Sequence, residues 1–175
     1  TATEMMFAIG ADDLLVAVDD NSNYPAEALD LPNDLSGFEP DIEAIAANDP
    51  DLVLIGGDFT ELGPRLDELG IAWWDGPAAE SFDDVYTQIE QLGAATGRIG
   101  EAAELVSSMQ TQIDELAAAV PETEVPLTYY HELDATLFSA TSSTFIGEVY
   151  GLFGLQNVAD ELEAGGYDQY VKAAA

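Results

Sequence analysis

The chain has 175 residues, 47% of them hydrophobic, which is enough apolar material for one good core or two small ones. Its charge is extreme: three basic residues against 35 acidic ones, a formal net charge of -32. Nucleic acid needs a basic footprint, and the three bases, Arg65, Arg98 and Lys172, are scattered, so nucleic acid is excluded as a partner and an anionic membrane surface is repelled.

Acidity of this kind is expected of a solvated surface, as in salt-adapted or secreted proteins. With no cysteine, disulfides, thiolate metal sites and cysteine nucleophiles drop out. The run Asp19-Asp20-Asn21-Ser22-Asn23 approaches a calcium loop but lacks its central glycine and closing glutamate, so no metal site is expected. No apolar run reaches the roughly 20 residues of a membrane span.

Along the chain, 3-TEMMFAIG-10 reads as a helix ending at a glycine, as if the chain opened with structure already under way; a mature or trimmed chain is expected. Leu14-Leu15-Val16-Ala17-Val18 then reads as a buried strand. A short helix follows Pro40, with Ile42, Ile45 and Ala46 on one face. The run 51-DLVLIGG-57 reads as a strand stopped by two glycines, 60-TELGPRLDELG-70 as a helix, 71-IAWW-74 as a strand and Ser81 to Ala95 as a long helix. Apolar strands alternating with helices imply a parallel sheet covered on both sides.

From Gly97 to Pro121 apolar residues recur at three- and four-residue steps, predicting one helix of about 23 residues, roughly 35 Å long. Such a helix between two α/β segments reads as a rigid connector. Beyond it, Leu127 to His131 and Thr136 to Ser139 read as strands and Thr144 to Phe153 as a helix, whereas the tail from Gly165 shows no clear pattern. The expected organisation is an N-terminal α/β lobe (1–96), a connector helix (97–121) and a partial C-terminal α/β lobe (122–175).

Three stretches carry a resemblance. They are 3-TEMMFAIGADDLLVAVDDNSNYP-25, with its helix, strand and Tyr-Pro loop; 37-GFEPDIEAIAANDPDLVLIGG-57, with Gly-Phe and a Pro-Asp-Leu-Val strand; and 142-SSTFIGEVYGLFGLQNVAD-160, a serine-led helix followed by a glycine turn. In this order, with a long helix between the second and third, the chain resembles the class III solute-binding proteins of ABC importers, the family of vitamin B12 and ferric-siderophore receptors. The family's chains run further, so this one is expected to be truncated at both ends and its second lobe incomplete.

The resemblance implies an exported protein, periplasmic or membrane-anchored and extracellular. It implies a monomer without a cofactor that hands an iron chelate or corrinoid to the membrane subunits of an ABC importer. The ligand would lie in a cleft between lobes, met by loops at the carboxyl ends of strands. Those loops nominate Tyr24, Phe38, Asp58, Phe59, Trp74, Tyr130, His131 and Ser143 as ligand contacts. Aromatic faces with a few polar tips suit a large macrocyclic or planar ligand. Tyr24 and Phe38 read equally well as core residues, whereas Trp73 reads as core and Trp74, beside a turn, as the cleft residue. The family docks through a surface acid on each lobe, and Glu61 is the nearest match; its other readings are a helix N-terminal charge or an ion pair with Arg65.

His131, the lone histidine, cannot build a metal site that needs two or three. No Gly-x-Ser-x-Gly elbow accompanies it, and nearness of Asp134 and Ser139 along the chain is not triad geometry. It reads as a polar residue at the rim of the cleft or as a ligand contact, axial to a metal centre, with Tyr130 stacking on the ligand or coordinating iron. No catalysis is expected. The alternatives are a haem receptor of the same fold and a lobe of a metal-cofactor enzyme, the latter disfavoured by zero cysteines and one histidine.

Overall fold

The computed structural model describes residues 1–58, 60–121, 123–161 and 167–169. The chain falls into two units: Thr1–Ala78 with Tyr86–Ser107, and Ala79–Val85 with Ser108–Ala175.

In the first unit α1 (Ala2–Ala8) closes at Gly10, whose φ of +67° lies in the left-handed region open to glycine. Short α2 (Ile42–Ala46) starts after Asp41, whose side chain accepts from the Glu43 and Ala44 amides. Two parallel strands follow, β1 (Leu52–Ile55) and β2 (Ala72–Asp75), in the register Leu52↔Ala72 to Ile55↔Asp75. Between them α3 (Leu62–Leu69) ends at Gly70, at φ +74°, whose N–H returns to the helix's last carbonyls. Ile45, Ile55, Leu62 and Leu66 form one core cluster, with Leu35, Ile42, Val53, Ile71 and Trp73 packed against it. All but Leu35 come from runs read in the sequence as helix or strand.

Helices α4 (Phe82–Thr96) and α5 (Ile99–Ala118) each have one end in either unit. Gly97, at φ +75°, turns the chain between them, and the Arg98 amide donates to the Gly93 carbonyl at 2.8 Å. A Cβ on Gly93 would collide with that of Ala102, so the glycine lets the two helices close on each other at the turn. The 20 residues of α5 span about 30 Å, shorter at both ends than the pattern suggested.

The second unit carries β3 (Thr128–Tyr129), parallel to β5 (Gln156–Asn157), and β4 (Phe138–Ala140), antiparallel to β6 (Tyr167–Gln169). Between β4 and β5 lies α6 (Phe145–Gly151), whose N-cap Thr144 accepts from the Gly147 amide. The chain is thus α/β; β1–β2 and β3–β5 are parallel, as expected, whereas β4–β6 is antiparallel.

Three expectations change. Leu14 to Val18 is not a strand: Asp12–Leu14 is a 3-10 turn, Leu14 and Val16 are about half exposed, and only Val18 is buried. The segment beside it offers Pro32, which has no amide to donate, and pairing is reduced to the Val18 amide on the Pro32 carbonyl and a single Asp19↔Leu35 bridge. The strand read from Leu127 to His131 shortens to two residues. The tail, read as patternless, contributes β6.

The charge goes almost wholly uncompensated. Among the described residues the ion pairs are Arg98 with Asp13, at 3.0 Å, and the N-terminus with Glu4, at 3.6 Å. Repulsion between exposed carboxylates therefore opposes compaction, and salt should relieve it as the Debye length shrinks from about 10 Å at 0.1 M to about 3 Å at 1 M. Thermal melts from ~0.1 M to ~1 M sodium chloride should show stabilisation of about 2 kcal/mol, or roughly 4–8 °C for a chain of this size. A flat or falling melting temperature would show that the carboxylates are too far apart to matter.

Candidate functional site

In the first unit two loops are stitched together by the residues that flank the candidates. Asp20 accepts from the Gly37 amide at 3.0 Å, while its own amide donates to the Leu35 carbonyl at 2.8 Å. Asp19 accepts from the Asn21 amide and the Ser22 hydroxyl, both at 2.8 Å. Gly37 is tight against this cluster: a Cβ there would meet the Asp19 carboxylate at 3.1 Å. One loop carries Tyr24, 67% exposed, and the other Phe38, 80% exposed. The sequence left both between core and surface; the structure puts both rings in water.

The strand ends give a different picture. Asp58 is occupied: its carboxylate accepts from the Leu62 amide at 2.5 Å and the Gly63 amide at 3.1 Å. It satisfies donors that the start of α3 would otherwise leave open. Glu61, the N-cap residue by position, sits in the left-handed region at φ +53°, is exposed and makes no side-chain cap bond. Among the described residues no ion pair joins it to Arg65. Phe59 lies outside the described residues.

The two adjacent tryptophans face opposite sides of β2. Trp73 packs against the Ile45–Leu66 core, over Gly63, and its Nε1–H donates to Asp67 on α3 at 3.1 Å. Trp74 turns the other way, over Gly76, and its Nε1–H donates to Gln91 on α4 at 2.8 Å. Trp74, nominated as a cleft residue, is half-buried and held by that bond.

In the second unit His131 Nδ1 lies 3.1 Å from the Tyr150 hydroxyl on α6. The Tyr150 ring stacks on Tyr129, with centroids 4.1 Å apart. Asn157 Nδ2 donates to the Tyr129 hydroxyl at 3.0 Å and to the Ala140 carbonyl. Burial raises the Tyr129 phenol above its usual pKa, so it stays neutral at any physiological pH. Tyr130 donates its hydroxyl to the Leu137 carbonyl at 3.0 Å. Ser143 is exposed on the turn before α6, its hydroxyl 3.0 Å from that of Thr141. The triad arrangement does not form, because Asp134 spends its carboxylate on Thr136 while His131 turns to Tyr150.

Sequence reasoning missed the Tyr129–Tyr150–Asn157 cluster that holds His131. Tyr150 and Asn157 stand 21 and 28 residues beyond Tyr129, and only the pairing of β3 with β5 brings Tyr129 and Asn157 together. A cavity of about 350 Å³ lies elsewhere in this unit, lined by Val120, Pro121, Pro126 and Phe153 among others, and takes in none of the candidates. Among the described residues no cluster of His, Asp and Glu has the arrangement of a metal site.

Comparison with known proteins is consistent with these elements. A family model described as periplasmic binding protein matches residues 1–172, and the chain belongs to that family, one of binding proteins and not of enzymes. The vitamin B12-binding protein of Vibrio cholerae is 27% identical over 168 residues, which cover 93% of this chain and 59% of that protein. An uncharacterised ABC transporter substrate-binding lipoprotein of Bacillus subtilis, YvrC, is 30% identical over 99 residues, 54% of this chain and 31% of the relative. The crystal structure of the periplasmic heme-binding protein HutB of V. cholerae superposes with a TM-score of 0.80 at 25% identity, covering 97% of this chain and 66% of that one. The chain therefore spans about three fifths of the B12-binding relative's length.

The role of Asp58 can be tested directly. Asp58→Ala should cost about 1–2 kcal/mol, the range of a lost N-terminal cap. Hydrogen exchange at the Leu62 and Gly63 amides should accelerate, with Gly70 at the other end of α3 much less affected. Unchanged exchange at those two amides would show that the carboxylate is dispensable to the helix.

Proposed function

We propose that this chain is the ligand-binding component that delivers a metal chelate, a ferric siderophore or a corrinoid, to the membrane subunits of an ABC importer. It acts outside the cytoplasm, in a periplasm or anchored at the outer face of a membrane, and performs no covalent chemistry. Family membership, the B12-binding relative and the lipoprotein relative of an ABC system support this reading.

The observation that carries it is the pair of rings at Tyr24 and Phe38. Large aromatic side chains dominate burial energetics, and exposure of 67% and 80% on two loops held in register leaves that area unused in the free chain. A macrocyclic or chelate ligand supplies the missing face. In the second unit Tyr130, His131 and Ser143 are the proposed contacts, with His131 oriented by Tyr150. A haem receptor is the second reading, favoured by the likeness to HutB.

Intrinsic tryptophan fluorescence should be titrated with cobalamin, a ferric hydroxamate, a ferric catecholate and haem. Saturable quenching by one of them is expected, and Phe38→Ala should weaken that ligand about tenfold, the loss of one stacked ring. No response to any of the four would sink the chelate reading.

Glu61 is proposed as the first-unit docking acid: its carboxylate is exposed and makes neither the cap nor the ion pair that would otherwise explain it. Glu61→Arg should leave chelate affinity within about twofold and lower stimulation of the importer's ATPase about tenfold, because a cation would then face the transporter's arginines. Undiminished stimulation would remove Glu61 from the docking surface.

A further inference from the structure

We infer that the ligand recognised by the first unit carries no net negative charge: it is a cationic or neutral chelate, and anionic chelates are rejected electrostatically. This rests on the chelate-binding function proposed above and narrows it to a charge class.

The net charge of -32 does not by itself decide the matter, since exposed charges beyond about 8–10 Å are screened at ordinary salt. What counts is the sign of the groups on the binding loops themselves. The Tyr24 loop carries Asp19 and Asp20, and Phe38 is followed directly by Glu39. Asp19 and Asp20 are hydrogen-bonded to amides, a hydroxyl and a carboxamide, none of which neutralises a charge. Glu39 is exposed. Phe38 thus stands with a carboxylate on its chain neighbour and another, that of Asp20, bonded to the amide of Gly37 just before it.

The two loops themselves supply no cation. Of the three bases, Arg98 is bound to Asp13 at 3.0 Å, Arg65 lies on α3, and Lys172 lies outside the described residues. Neither the Tyr24 loop nor the Phe38 loop contains a lysine or arginine. A chelate with carboxylate or catecholate charge would lose its hydration beside like charges on loops that contain no lysine or arginine, which penalises it twice. A cationic chelate meets attraction, and a neutral one is held by ring contact alone. Each carboxylate inside the screening length changes the affinity of a singly charged ligand by about two- to fivefold.

The test compares chelates of similar size and different charge on the purified protein: cationic ferrioxamine B, neutral ferrichrome, trianionic ferric enterobactin and haem, with neutral cyanocobalamin as the corrinoid. Affinities are measured at ~10 mM and ~1 M salt, where the Debye length is about 30 Å and about 3 Å. At low salt each anionic chelate should bind at least tenfold more weakly than the cationic or neutral chelate that binds best, and the gap should shrink at high salt.

Glu39→Lys, a change at an exposed position, should shift the order in opposite directions at low salt. It should weaken any bound cationic chelate about threefold or more and strengthen any bound anionic one by a similar factor. Tighter binding of ferric enterobactin or haem than of every neutral and cationic chelate would overturn the inference while leaving the transport role intact. A charged chelate that binds with the same affinity before and after Glu39→Lys would overturn it as well. Binding of none of the five would sink the chelate-binding function itself, and the inference with it.

Discussion

The parallel ladder of Leu52–Ile55 against Ala72–Asp75 is the constraint on which the strand ends of the first unit depend. Its register puts Ile55 beside Asp75, and two bonds beyond it lock the exits: the Gly76 amide on the Ile55 carbonyl at 2.8 Å, and the Gly57 amide on the Asp75 carboxylate at 3.1 Å. With those exits fixed, Asp58 reaches the first amides of α3, and α3 in turn lays Leu62 and Leu66 on the core. A slip by one residue would reverse the faces of Trp73 and Trp74 and break both indole bonds together.

The same ladder shows how a strand can serve two helices. Gly63 permits the Trp73 ring to lie on α3, since a Cβ there would fall 2.5 Å from the indole; Gly76 does the same for Trp74, where a Cβ would overlap the ring. Gly63 lies on the helix that faces Trp73, whereas Gly76 lies just past Trp74's own strand, where the ring folds back over the chain. A sheet this narrow covers its faces with two wide rings and two glycines, in place of more strands.

What could be read from the sequence followed from local physics. The helix stop at Gly70, the apolar face of α2, the strand at Leu52–Ile55 and the core side of Trp73 all follow from periodicity and backbone preference within a few residues. What could not be read depends on partners far along the chain. Leu14 to Val18 has the composition of a strand, but the segment it meets bonds to it only at Val18 and Asp19. Asp58 stands four residues before the amide it caps, beyond the usual offset of a capping side chain, so it looked like a ligand contact. His131 was visible as the lone histidine, yet its partner Tyr150 is 19 residues away on another element. Exposure of Tyr24 and Phe38 was undecidable for the same reason: an aromatic between a loop and a core has no local signature of its direction.

The chain's two tryptophans also divide the molecule optically. Both indoles lie on β2, in the first unit, and each is tied by its N–H to a polar acceptor there, whereas the second unit's aromatic cluster is built from tyrosine and phenylalanine. Emission excited selectively in tryptophan is therefore a local gauge of one unit's surroundings. Rearrangements of Tyr129, Tyr130 and Tyr150 themselves would register most directly in the tyrosine band of near-ultraviolet circular dichroism.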